Sequence, residues 1–276
     1  MRSRVGLVLS WVLLVAGCSP AVAPVAPSSS APVSSSPVPS SPVPSSPVPS
    51  SPVPPRKPVT VVLDPGHNGG NAGRPGVINA PVPAGRGQTK PCNTTGTATD
   101  RGYPEHAFTW DVAQRAGALL SAQGVRVVYT RTDDSGVGPC VNERAAIGNR
   151  AGADAVVSIH ADGSTAAGAR GFHVAYSSPP LTAAQGEPSL ELARALRSGM
   201  AAGGFPVSNY LGSDGLAPRN DLAGLNLSDR PAVLVECGNM RNAVDAALMS
   251  TVDGRQRYAT AVASAVVSYL TRYAGF

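Results

Sequence analysis

The chain has 276 residues, 42% hydrophobic and 14% charged, with a formal net charge of +5. That length admits one domain with a sizeable core plus additional segments. Without Arg2 and Arg4 of an export-type N-terminus, 20 basic residues face 17 acidic ones. A balance so mild, with no clustered basic stripe, excludes nucleic acid as a partner and suits a loose attraction to an anionic wall or membrane surface.

Residues 1–18 combine that positive start with an apolar run over 5–15, too short to span a membrane. Val15-Ala16-Gly17-Cys18 follows. It resembles the lipobox of bacterial lipoproteins, which implies lipid on Cys18 and a membrane-anchored protein facing the cell wall. A plain secretory signal would instead release a secreted or periplasmic protein. Either way the mature chain is extracytoplasmic. Residues 19–58 are low complexity, with Ser-Ser-Pro-Val-Pro repeated four times between Ser35 and Pro54. Proline at two of five positions removes backbone donors and favours polyproline II. We read a disordered tether, reaching roughly 120 Å at ~3.1 Å per residue.

Residues 59–276 are expected to form a single domain. The run 59–63, VTVVL, reads as a buried strand stopped by Asp64-Pro65-Gly66. His67 is thereby presented just past a strand end, where open α/β sheets place ligands. Residues 71–103 read as a long irregular stretch rich in Gly, Pro, Thr and Asn. Pro104-Glu105 opens a helix that Gly124 stops, with Pro104 in its first turn and Phe108, Val112, Ala116, Leu119 and Leu120 as its inner face. Glu105 shares that inner face; His106 is turned about 100° away.

The second strand is expected over 125–130, giving a βαβ unit and a largely parallel sheet. A short helix over 142–151 carries Arg144, and 155–160, AVVSIH, is a third strand ending in His160. Residues 172–176 form a fourth strand and 189–202 a helix. A Gly-, Asn- and Asp-rich loop covers 214–229. The strand 232–236, AVLVE, ends in Glu236. Asn242 caps a helix over 242–248, and Tyr258, Val262, Val266 and Leu270 line the last one.

His67, Glu105, His160 and Glu236 thus gather at one sheet edge. Two imidazoles and one carboxylate make a three-ligand catalytic zinc set, and the remaining acid can serve as general base. The pattern alone leaves open which acid is the ligand and which divalent metal is bound.

LDPGHNG, the Pro-Glu helix start, Thr130-Arg131, ERAAIGN, SIHAD and VLVECGNMRN together resemble the zinc-dependent N-acetylmuramoyl-L-alanine amidases of bacterial cell walls, in particular the mycobacterial secreted ones. The resemblance covers essentially all of 59–276. It implies an α/β fold with a mixed, mostly parallel central sheet flanked by helices on both faces. It implies that His67, Glu105 and His160 hold one Zn2+ per chain, that Glu236 is catalytic and that Arg144 has a structural role near the site. The substrate it implies is peptidoglycan or a muropeptide, cut between N-acetylmuramic acid and L-alanine. Asp162 departs from the family's usual Asn, which alters local charge without removing a ligand. The 71–103 insertion is typical only of the narrower group. We expect a monomer.

Of the four cysteines, Cys18 is assigned to lipid and Cys237 to the core. Cys92 and Cys140, each after a proline in irregular, exposed chain, are expected to pair in the oxidising compartment. Two other classes compete: a non-catalytic wall-binding lipoprotein on the same fold, and a cysteine hydrolase using Cys237 with His160. Strand alternation turns Cys237 away from Glu236 and argues against the latter.

Overall fold

The computed structural model describes residues 58–276. Cys18, the export segment and nearly all of the 19–58 tether lie outside the described residues.

The first strand, β1 (Thr60–Pro65), is buried along its whole length. The insertion after it is ordered, unlike the irregular stretch expected. It contains a one-turn helix, α1 (Pro75–Ile78), and an antiparallel hairpin of β2 (Pro81–Gly85) and β3 (Gln88–Pro91). Prolines at 81, 83 and 91 conceal these strands in the sequence. A two-stranded ribbon has open edges, where a missing N–H is tolerated. Its turn places Gly85, Arg86 and Gly87 at positive φ.

Helix α2 (Glu105–Ser121) buries Phe108, Val112, Ala116 and Leu120, one stripe at helical spacing. Pro104 is its N-cap rather than a first-turn residue. Strand β4 (Arg126–Tyr129) pairs parallel with β1, as the βαβ reading requires. Helix α3 (Val141–Ala151) follows and ends at Gly152 with φ 58°. Strand β5 (Ala155–Asp162) lies parallel to β1 on its other side.

Strand β6 (His173–Ser177), helix α4 (Glu187–Ala202), strand β7 (Leu216–Arg219) and the single turn α5 (Ala223–Asn226) come next. The last two occupy the expected 214–229 loop. Strand β8 (Ala232–Asn239) leads to α6 (Ala243–Met249), capped by Asn242 as predicted, and α7 (Val252–Tyr273).

The sheet order is β4-β1-β5-β8-β6-β7. The first four strands are parallel; β6 runs antiparallel to β8 and carries β7 with it. Helices α2, α4 and α7 cover one face through Phe108, Leu192, Tyr258 and Val262. The other face, with Val62, Val156, Ala175 and Ala232, packs Leu225 of α5. Covering on both faces is why β1, β5 and β8 read as continuous apolar runs. Among the described residues no helix is long and apolar enough to cross a membrane.

Candidate metal centre

The turn after β1 is held by buried arginines. The Arg144 guanidinium donates to the carbonyls of Pro65 at 2.6 Å, His67 at 2.7 Å and Gly138 at 3.1 Å, and pairs with Asp64 at 2.7 Å. Arg131 donates to the Pro65 carbonyl at 3.0 Å and the His106 carbonyl at 2.8 Å. The Thr130 hydroxyl donates to Asp64. These are the residues of the TR and ERAAIGN motifs, and together they brace the DPGH turn. Burial alone would raise the Asp64 carboxyl; the Arg144 charge and the Ser158 and Thr130 hydroxyls outweigh it and hold it at about 2.

Held this way, His67 adopts φ 60°, a left-handed conformation uncommon outside glycine. Its Nδ1 lies 3.2 Å from the Thr94 carbonyl, so the insertion orients the ring, and its Nε2 lies 3.1 Å from Glu105 Oε2. His160 Nδ1 lies 3.0 Å from Glu105 Oε1. The backbone N–H groups of Thr97 and Ala161 donate to the same carboxylate at 2.9 and 3.1 Å. Burial opposes ionisation of Glu105, but His67 and His160 hold its pKa well below the ordinary carboxylate range.

His67, Glu105 and His160 each bring a ligand atom within 4.8 Å of the others. Two glycines keep the space open. A Cβ on Gly66 would come within 2.3 Å of the His160 ring, and one on Gly96 within 2.9 Å of both Glu105 and His67. Two nitrogens and a carboxylate converging in a cleared space fit a divalent metal. His106 is not part of the group; its Nδ1 pairs with Asp134 at 2.8 Å.

Glu236 stands beside His160, its register partner across β5 and β8. Its Oε2 is buried without a hydrogen-bond partner. Burial, then the charges of Glu105 and Asp162, push its carboxyl well above the usual range, against a smaller pull from Arg219. The acid at 162 therefore does change local charge. It also accepts a 2.8 Å hydrogen bond from the Tyr210 hydroxyl. A cavity of about 340 Å³ opens from His67 and His160 toward Lys90, Leu222 and Leu225. A larger groove of about 740 Å³ between α4 and α7 carries none of these groups.

Residues 61–268 match the N-acetylmuramoyl-L-alanine amidase family. The chain belongs to that family. It is 51% identical over 212 residues to the N-acetylmuramoyl-L-alanine amidase Rv3717 of Mycobacterium tuberculosis, covering 77% of this chain and 86% of that protein. The N-acetylmuramyl-L-alanine amidase Ami1 of Mycobacterium smegmatis superposes with a TM-score of 0.75 at 53% identity, over 78% of this chain and 97% of that one. The apo form of Ami1 from Mycobacterium abscessus gives 0.74 at 53%, over 77% and 98%.

In this family member His67, Glu105 and His160 lie together, Glu236 is in register beside His160, and Arg144 braces the turn that presents His67. The Cys92–Cys140 disulfide is formed, with the residues 48 apart in sequence. Cys92 is buried rather than exposed, because its N–H donates to Ala80 and its carbonyl accepts from Val141. Cys237 lies in the core at 1% exposure, and burial raises its thiol far above the ordinary range, which removes the cysteine-hydrolase alternative. Three contributors escaped the sequence reading: Thr94, which touches His67, Asn71, which ties the insertion to Gly138, and His173, buried beside Glu236. Only the Asn residues in a Gly-rich loop gave a signal, as side chains that bond backbone in turns.

Proposed function

We propose that the protein hydrolyses the amide bond between the lactyl group of N-acetylmuramic acid and L-alanine of the peptidoglycan stem peptide. The observation that carries this reading is the convergence of His67, Glu105 and His160 at one sheet edge, with Glu236 in register beside His160. The three would hold one zinc ion, whose donor preference they match. When bound, such an ion acidifies a water molecule and draws electron density from the amide carbonyl.

Glu236 is the general base. It accepts a proton from the attacking water as the new C–O bond forms at the carbonyl carbon. As the C–N bond breaks, the same carboxyl returns that proton to the leaving nitrogen of L-alanine. The products are a free lactyl carboxylate and a free peptide N-terminus. Glu105 is denied this task by its contacts with both histidines.

Residues 1–18 would direct export, with lipid on Cys18, and 19–58 would tether a monomeric catalytic domain 59–276 facing the wall. Incubation of the full chain with purified peptidoglycan tests the function. Mass spectrometry should find free stem peptides beginning with L-alanine, formed without chelator and lost with it. Release of reducing sugar ends instead would show a glycan cleavage and overturn the reading.

A further inference from the structure

His160, Glu236 and His173 form one row across three strands. His160 and Glu236 are register partners on parallel β5 and β8, and Glu236 and His173 are partners on antiparallel β8 and β6. Directly opposed residues project to the same sheet face as near neighbours. His173 alone in this row has no part in the reaction proposed above.

It is also an expensive residue for its place. It is 2% exposed, between core residues Phe172 and Val174, where an apolar side chain would incur no desolvation of a ring nitrogen. Among the described residues three buried side-chain atoms lack a hydrogen-bond partner, and two of them are His173 Nδ1 and Glu236 Oε2. Both orphaned atoms therefore belong to one opposed pair. A water lodged between them would satisfy both, accepting from Nδ1–H and donating to the carboxylate oxygen.

The ring is itself fixed. Tyr210 meets it edge-on, with centroids 6.2 Å apart, and the Tyr210 hydroxyl is anchored on Asp162. Burial keeps His173 neutral, down at about 4, so it supplies a donor without adding a charge beside the metal group.

We propose that His173 is a positioning residue for Glu236, holding Oε2 through one shared buried water so that the other carboxylate oxygen is presented to the attacking water. The proposal rests on the reading of Glu236 as general base.

Four full-chain proteins loaded with one equivalent of zinc test it: wild type, H173N, H173F and E236Q. Asparagine places an amide near the position of Nδ1, whereas phenylalanine fills the volume without a polar atom. H173F should keep its zinc and its KM but lose kcat about 10- to 100-fold, while H173N stays within about 5-fold of wild type. A glutamine, whose amide sits nearer the Nε2 position, gives a second variant: should H173F fail to fold, H173Q is expected to show the same kcat loss. Wild-type kcat in H173F or H173Q, with E236Q inactive, overturns the proposal alone. Equal kcat loss in H173N and H173F overturns it as well, because the donor would then not be what matters. Turnover retained in E236Q brings down the general-base reading, and this inference with it.

Discussion

The Arg144 guanidinium donates to the backbone carbonyl of His67 over 2.7 Å, while the same side chain neutralises Asp64. One residue thus fixes both the left-handed turn that aims the imidazole and the buried acid beneath it. Replacing it by alanine leaves the Asp64 charge buried and unpaired, a loss on the order of 3–5 kcal/mol. R144K should not rescue, because an ammonium lacks the planar fork that reaches the Pro65, His67 and Gly138 carbonyls together. Urea unfolding and zinc stoichiometry check both variants. Wild-type values in R144K would show that the fork is dispensable.

Asp64 also gives a pH signature. In the folded chain its pKa is held at about 2, below the ordinary aspartate value of 3.8. A depressed carboxylate contributes stability above its unfolded pKa and loses it as pH falls through the folded value. Wild-type unfolding free energy should therefore drop between about pH 4 and pH 2, by on the order of 2 kcal/mol from this group. D64N should be less stable at neutral pH and flatter across that window. Denaturant titrations at stepped pH measure both slopes.

His67, His160 and Glu236 were legible because β1, β5 and β8 are buried on both faces, so each apolar run breaks where the polar residue begins; β5 and β8 nevertheless continue to Asp162 and Asn239, past the ends expected at His160 and Glu236. The insertion was not legible. Its strands carry Pro81, Pro83 and Pro91, which local propensity scores as coil, and only pairing between open edges makes them a ribbon. β7 was hidden in the same way by Pro218 within a Gly- and Asn-rich stretch. Cys92 looked exposed beside a proline, yet backbone bonds to Ala80 and Val141 bury it. His173 follows Phe172 in an ordinary apolar strand; only the antiparallel register with Glu236 gives it meaning, and register between distant strands is not written locally.

The disulfide joins the end of the hairpin to Cys140, the N-cap of α3, one turn before Arg144. Its removal in a C92S/C140S double variant should cost about 4 kcal/mol on the chain-entropy model. Because Thr94 orients His67 from the same segment, zinc affinity should fall as well. Thermal unfolding and competitive metal titration, with and without reductant, report each effect. Unchanged zinc affinity in the double variant would mean that the insertion holds Thr94 without the cross-link.

Gly96 offers a more local perturbation. It sits at φ 78°, and a Cβ there would come within 2.9 Å of Glu105 Oε2 and of the His67 ring. G96A should keep the fold and lose metal, read as near-native circular dichroism with zinc below one half equivalent. A full equivalent of zinc in G96A would show that the cleared space is not needed by the ion.

The proposed mechanism assigns the metal to two histidines and Glu105 and the proton to Glu236. Zinc content and turnover on purified peptidoglycan, measured together on H67A, H160A and E236Q, test this assignment. Both histidine variants should lose zinc and activity together. E236Q should retain about one equivalent of zinc and lose kcat by about 10²- to 10⁴-fold, the contribution of a general base. Full zinc in the histidine variants, or wild-type turnover in E236Q, would contradict that division of roles.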